Sequence, residues 1–258
     1  MARSTPAPFI ARSVALTAIG VAAAVTLSGC ALLLPPERFS DDAAITEQVH
    51  TIEIEEPDGN VTVRGAEEAT GIELSRTLSY RGDRPTDPTY EVSDGVLVLS
   101  GCGRHCSVDY TIDLPVGVDV RGSTSNGTIE LTRVNRVEIS TNNGSVDLDQ
   151  VSGTVDAETS NGRIEGRGLA GAGVRASTSN GAIELRLATP QDVEARTSNG
   201  SIDLVVPLGD DGAAEAIGYR VTTDTSNGSV DVDIDEDSDG EFALDLATSN
   251  GAIRVTGR

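Results

Sequence analysis

The sequence predicts an all-β chain, a right-handed parallel β-solenoid of about seven to eight short coils behind a strand-rich N-terminal cap. Three observations predict it. The tetrapeptide Thr-Ser-Asn-Gly and close variants recur seven times, with the asparagines at Asn126, Asn143, Asn161, Asn180, Asn199, Asn227 and Asn250. Their spacings of 17, 18, 19, 19, 28 and 23 residues mark a repeat architecture. Around each asparagine, apolar and polar residues alternate with period two. The chain also has three Phe, four Tyr and no Trp, too few large residues for a thick core but enough for a thin coil filled by Val, Ile, Leu, Ala and Thr.

Each repeat reads as two strands about a turn. Six places before the asparagine stand Val120, Val137, Val155, Val174, Val193, Val221 and Leu244. A smaller residue follows two places on, from Gly122 and Ile139 to Thr223 and Leu246, and then Thr in every copy. Three places after the asparagine come Ile or Val, and five places after it Leu or Val, apart from Gly166. Alternation on both sides makes two half-buried strands. The turn is expected to exploit the tolerance of Asn and Gly for positive φ. Asn-Gly alone would also suit a hairpin, so an antiparallel meander or sandwich is the alternative. A hairpin does not need Thr in all seven copies, or Ser before Asn in six; stacked Thr and Asn ladders do.

The N-terminal residues 1–29 read as a lipoprotein signal peptide. Arg3 and Arg12 precede the uncharged, Ala- and Val-rich stretch Ser13–Ser28, which is short for a membrane span. Leu27-Ser28-Gly29-Cys30 resembles the bacterial lipobox. The resemblance implies export, cleavage before Cys30, acylation of Cys30 and residence on the extracytoplasmic face of a bacterial membrane. Residues 30–48 are expected as an anchor and spacer, with Leu32–Leu34 near the lipid and Pro35-Pro36 stiffening the exit. Residues 49–258 then form the β-strand-repeat domain.

Within that domain, Ile52, Ile54, Asp58-Gly59-Asn60, Val61 and Val63 read as a degenerate first coil. Two alternating runs, Val96–Ser100 and Ser107–Leu114, flank Cys102-Gly103-Arg104-His105-Cys106. In an exported chain, Cys102 and Cys106 are expected to bond to each other. Zinc would need a fourth ligand beside Cys102, His105 and Cys106, and the only other histidine is His50. Pro207–Ala216 is a Gly- and Asp-rich insertion between coils. Beyond it, Asp235, Asp237 and Asp239 before Gly240 match the start of a calcium loop, although Leu246 stands where the bidentate Glu belongs. Calcium is therefore the one cofactor to consider. The acids four places after each asparagine, Glu130, Asp147, Glu165, Glu184, Asp203 and Asp231, alternate with inward residues and must point outward as a ladder that Arg254 closes.

The pattern as a whole resembles a bacterial family of β-strand-repeat domains of unknown function commonly labelled putative adhesins. Pro115-Val116-Gly117-Val118, the recurring Thr-Ser-Asn-Gly turns and the closing Ala247–Val255 copy carry the resemblance. It implies a fold and a surface role, and no catalytic residues.

Forty-one acids oppose nineteen basic residues, all of them Arg, for a formal charge of −22. Such a chain repels nucleic acid. With two His and no Lys, and its acids in regular outward columns, it offers few groups for an acid/base or nucleophilic cleft. The expectation is a non-enzymatic, lipid-anchored binding, adhesion or structural module of the envelope, meeting a glycan or a membrane protein. A signalling or envelope-stress accessory acting on a membrane partner is the second reading, and a carbohydrate-active β-helix enzyme the third.

Overall fold

A computed structural model describes residues 35–55, 57–209 and 217–258 of the protein. The expected signal peptide, Cys30 and Leu32–Leu34 lie outside the described residues, as does 210–216 of the insertion. Every element is a strand. The first part of the chain supplies β1 (Glu37–Ile45), β2 (Thr51–Glu55), β3 (Val61–Ala66), β4 (Ile72–Tyr80), β5 (Tyr90–Ser93), β6 (Val96–Ser100) and β7 (Cys106–Pro115). The first four asparagine repeats supply β8 (Asp119–Asn126) and β9 (Ile129–Thr132), β10 (Val137–Asn143) and β11 (Val146–Asp149), β12 (Val155–Asn161) and β13 (Ile164–Leu169), and β14 (Gly173–Asn180) and β15 (Ile183–Leu187). The last three supply β16 (Asp192–Asn199) and β17 (Ile202–Val206), β18 (Tyr219–Asn227) and β19 (Val230–Asp233), and β20 (Phe242–Asn250) and β21 (Ile253–Gly257).

The two strands of each repeat enter different sheets. Sheet A has the order β1-β4-β7-β3-β9-β11-β13-β15-β17-β21-β19, and sheet B the order β18-β20-β16-β14-β12-β10-β8-β2-β6-β5. Every pairing among β8 to β21 is parallel and joins like positions, Val137 to Val155, Thr141 to Thr159 and Asn143 to Asn161, for example. The antiparallel meander is thereby excluded for the repeats. Among the described residues, antiparallel pairing occurs only in the part before the repeats, in β1–β4, β4–β7 and β5–β6. Both sheets keep free edges. The inward columns fill the space between them, with Ile52, Val61, Ile129, Val146, Ile164, Ile183 and Ile202 wholly buried.

The degenerate first coil is present as expected, since β2 and β3 pair in parallel with β8 and β9. A further unit lies outside it, because β6 pairs with β2 and β7 with β3. The Cys102–Cys106 segment forms its turn, with the two sulfurs bonded and the Cα atoms 5.6 Å apart. Residues 37–45, expected in the spacer, instead form β1. Their alternation seats Ile45 in the core, and Arg76 on β4 grips Asp41 on β1 through two hydrogen bonds of 2.6 and 2.7 Å. The same guanidinium donates to Thr89 Oγ1 at 2.8 Å, while the buried Tyr110 hydroxyl donates to the carbonyls of Thr89 and Ser100.

The repeated tetrapeptide owes its composition to contacts between coils. The turn asparagines do not have positive φ, and neither do Gly144, Gly162, Gly181, Gly200 and Gly228, so the left-handed turn expected from Asn-Gly is not the reason for them. Each of these glycines lies against the carbonyl oxygen of the matching glycine in the adjacent coil, leaving no room for a Cβ. The Thr hydroxyl donates to that same carbonyl, at 2.9 to 3.4 Å for Thr141, Thr159, Thr178, Thr197, Thr248 and Thr225. The Asn Nδ2 donates to the neighbouring Asn Oδ1 at 2.9 to 3.1 Å, through six consecutive steps. Asp58 occupies the ladder's first rung and accepts from Asn126 Nδ2 at 3.0 Å. The gap in the Leu column is also accounted for: the Gly166 position is filled by Leu169, whose Cδ1 lies 2.8 Å from where a Cβ would be, at the point where the β13–β15 register shifts.

The coils do not stack strictly in sequence order. The last repeat lies between the fifth and the sixth, so the sixth is outermost. The more apolar copy, with Leu244, Leu246, Ile253 and Val255, is buried there, while Thr223 and Val230 of the sixth remain open to solvent. The chain's end locks this order. Leu208 packs on Gly257, the Leu208 amide donates to the Arg258 carbonyl, and the Arg258 guanidinium donates to the Leu187 carbonyl at 2.7 Å.

Candidate functional site

The outer faces of the two sheets carry the charged columns. On sheet A, Glu130, Asp147, Glu165, Glu184 and Asp203 stand opposite one another in successive strands. The ladder does not end as expected. Because β21 lies between β17 and β19, Arg254 separates Asp203 from Asp231 instead of closing the series, and it approaches Asp231 at 3.5 Å. That order replaces an acid–acid step with two opposite-charge steps. Further along, Arg163 reaches Glu165 and Glu184 at 3.7 and 3.8 Å, and Arg167 is paired with Glu165. Asp147 lacks such a partner among the described residues. Burial, followed by the nearby Glu165, holds its carboxyl above the usual range.

Stability consequently depends on pH. A carboxyl raised in the folded state contributes stability at pH values below its unfolded pKa, and loses that contribution as pH rises through the folded value. Asp41 does the opposite. Its hydrogen bonds to Arg76 lower its pKa, so its contribution is present above about pH 4 and disappears in stronger acid. The Asp147 contribution therefore grows as pH falls towards the ordinary aspartate value of about 4, and the Asp41 contribution is lost in stronger acid. The Asp147 contribution is worth less than about 1 kcal/mol, which is less than about 2–4 °C in a chain of this size. Thermal melts of the wild type and Asp147→Asn at pH 7 and 4 check it: the stability difference shifts in favour of the wild type at pH 4, and a difference that does not change with pH rejects the assignment.

Sheet B presents a longer feature. The residues five places before Asp58 and before each asparagine form the column Glu53, Arg121, Glu138, Asp156, Arg175, Glu194, Asp245 and Thr222. Beside it runs Ser123, Ser140, Glu158, Ser177 and Arg196. An open trough of about 550 Å³ runs along the first column from Glu138 to Asp245. A second, of about 460 Å³, continues it from Asp156 and Glu158 back to Arg121 and Glu53. Several of the arginines are paired, Arg121 with Glu53 at 2.6 Å, Arg175 with Glu194 at 2.5 Å, and Arg196 with Glu194 and with Asp245. Asp156, which lines both troughs, and Glu158, which lines the second, have no ion-pair partner among the described residues. A floor of free carboxylates, hydroxyls and fixed guanidinium groups can hydrogen-bond a ligand that has many hydroxyl or amino groups. The aligned repeats hold the signal for this face in their columns three and five places before the asparagine, but the mixture of Ser, Glu, Asp and Arg masks it.

The acidic run Asp235–Asp239 lies at the surface after β19. The Asp237 carboxylate accepts from the Asp239 amide at 2.9 Å, and its carbonyl accepts from the Gly240 amide, closing a tight turn. Gly240 lies directly on the Gly218 backbone. Asp235, Asp237 and Asp239 are exposed, and among the described residues no three His, Cys, Asp or Glu side chains converge as metal ligands. Cys102 and Cys106 bond to each other, and His50 contacts Thr51 Oγ1 at 3.0 Å.

No family model matches the chain, and no curated protein matches it. Among solved structures, it is similar to a putative adhesin from Parabacteroides merdae at 13% identity and a TM-score of 0.46, over 86% of this chain and 96% of the other. It is also similar to a putative adhesin from Bacteroides fragilis at 13% identity, with a TM-score of 0.41 over 86% and 97% of the two chains. A putative lipid binding protein from Parabacteroides distasonis shares 14% identity, with a TM-score of 0.37 over 86% and 97%.

Proposed function

We propose that this chain is a lipid-anchored, extracytoplasmic binding module of a bacterial envelope, without catalysis of its own. Residues 1–29 direct export, Cys30 carries the lipid, and the strand repeats form a right-handed solenoid that presents its sheet B trough to an extended, hydroxyl-rich polymer such as an envelope glycan. The observation that carries the reading is the trough itself. It crosses successive parallel strands, so hydrogen-bonding side chains, both acids and arginines, recur at the strand spacing of about 4.8 Å, a regular row suited to a repeating ligand. Because β1 begins at Glu37, only Ala31–Pro36 would link the lipid to the fold. Six extended residues span at most about 20 Å, which would hold the module close to the membrane.

Two measurements on the full-length protein test this. Cys30→Ala should lose lipid label and leave the membrane fraction; retention of the label rejects the anchor. Retention of purified envelope polysaccharide should fall about tenfold in the double variant Asp156→Ala, Glu158→Ala, a loss of about 1.4 kcal/mol for two charged hydrogen-bonding groups. Equal retention by both proteins rejects the trough.

A further inference from the structure

The stack has one unfinished end. Strands β18 and β19 are the outermost of sheets B and A on the same side, and beyond a single bridge from Tyr219 to Glu236 at the start of β18 each is paired on one flank only. The repeat they form is complete in sequence, Thr225-Ser226-Asn227-Gly228, yet its bonding groups are only half used. In the inner coils, each Asn Oδ1 accepts from the next asparagine, each Gly carbonyl accepts from the next threonine, and each Gly amide donates to the next Asn carbonyl. In the outermost coil, Asn227 Oδ1, the Gly228 carbonyl and amide, and the Val230 amide find no such partner among the described residues. The inward columns are uncovered as well: Val230 is 45% exposed, while its counterpart Ile253 in the coil beneath is fully buried. Exposed strand edges are usually blunted by Lys, Pro or a bulge. Neither Tyr219–Asn227 nor Val230–Asp233 contains Lys or Pro, and their pairing with β20 and β21 runs without a register shift.

We propose that this end takes an extended segment of a partner protein by strand addition, the added strand running parallel and completing the coil. Charge decides the kind of partner. Asp224, Asp231 and Asp233 line the edge strands, with Asp235 and Glu236 just beyond; the one basic residue of these strands, Arg220, donates to the Gly240 carbonyl, and among the described residues Arg254 is the sole basic side chain paired with any of these acids. The segment that fits alternates β-branched residues, placed over Val230 and Val232, with Arg or Lys opposite the aspartates. A second copy of this chain fits poorly. Two such ends face to face would oppose their aspartate rows, and their Asn227 Oδ1 atoms are both acceptors. The opposite end of the stack is formed by β1 in sheet A, which carries Glu37, Asp41 and Asp42, and by β5 in sheet B, which carries Glu91.

The test uses full-length protein in detergent and a synthetic peptide with the sequence of residues 219–233 in which each aspartate is replaced by arginine. Fluorescence anisotropy should show saturable binding with a Kd of about 10–100 μM. Hydrogen exchange at the Gly228 and Val230 amides should slow in the complex. Val230→Lys, at a site already half open and so harmless to folding, should weaken binding at least tenfold. No saturable binding, equal binding by Val230→Lys, or equal binding of a scrambled peptide of the same composition overturns the proposal. So does sedimentation showing a dimer of the wild type that Val230→Lys dissociates, since the occupant is then a second copy.

Discussion

Replacing Gly181 by alanine is expected to lower the melting temperature far more than the same change at Gly82, although Gly82 has the left-handed backbone and Gly181 does not. Gly82 has φ of +94° and open space around its Cβ position. An alanine there costs about 1 kcal/mol of backbone strain. Gly181 is unstrained, but a Cβ would strike the Gly162 carbonyl oxygen, and Gly162 itself stacks on Gly144 in the same way. The obstacle is backbone on both sides, and that carbonyl also accepts from Thr178 Oγ1 at 3.1 Å. Relief requires prying two coils apart along both sheets. Overpacking of this kind costs about 3 kcal/mol, or about 6–12 °C in a chain of this size. Thermal melts of the two variants compare the effects directly. A larger loss at Gly82 would mean that turn conformation, and not coil-to-coil contact, fixes the repeated glycine.

Excising Asn180–Ser198, one whole period of 19 residues, is expected to leave a cooperatively folded protein. The cut joins Ser179 to Asn199 and brings β14 beside β20 and β13 beside β17 with like columns facing, Ala176 against Leu246 and Ile164 against Ile202. Stability in such an array is close to a sum over coils and their interfaces. The loss of one coil from a total of about 5–15 kcal/mol should therefore cost about 1–2 kcal/mol, or about 2–8 °C. Excising Ile183–Gln191 instead removes β15 from sheet A and leaves β16 in sheet B, so the two sheets no longer advance together. That variant is expected to lose its cooperative melt. Similar melting of the two deletion variants would count against stacking in register.

Much of the fold is legible in the chain's own periodicity. The seven aligned asparagines fix which residues face inward, and Thr before each of them marks a contact that a simple hairpin would not require. The degenerate coil at Ile52–Val63 is also legible, because Asp58-Gly59-Asn60 retains enough of the pattern. The reason for the glycine is not. Alignment shows that it recurs, whereas the clash that excludes a side chain involves a residue 17 to 23 places away, brought close only by stacking. The trough on sheet B has the same limitation: Asp156 and Glu158 stand out only once the arginines around them are seen to be paired elsewhere.

By itself the sequence determined the strand alternation, the parallel-compatible columns and their register, since each column stacks best on its own kind and a one-residue slip would turn every apolar side chain outward. It could not determine the order of the coils. Any repeat's columns fit any other's, so periodicity is blind to which coil lies beside which. Tertiary structure decided that through non-repeating contacts and unequal burial. Leu208 on Gly257, Arg258 on the Leu187 carbonyl and Tyr219 on the Pro207 carbonyl draw the last coil inside. Leu244 and Leu246 gain from two covered faces, while Thr223 tolerates water at the open end.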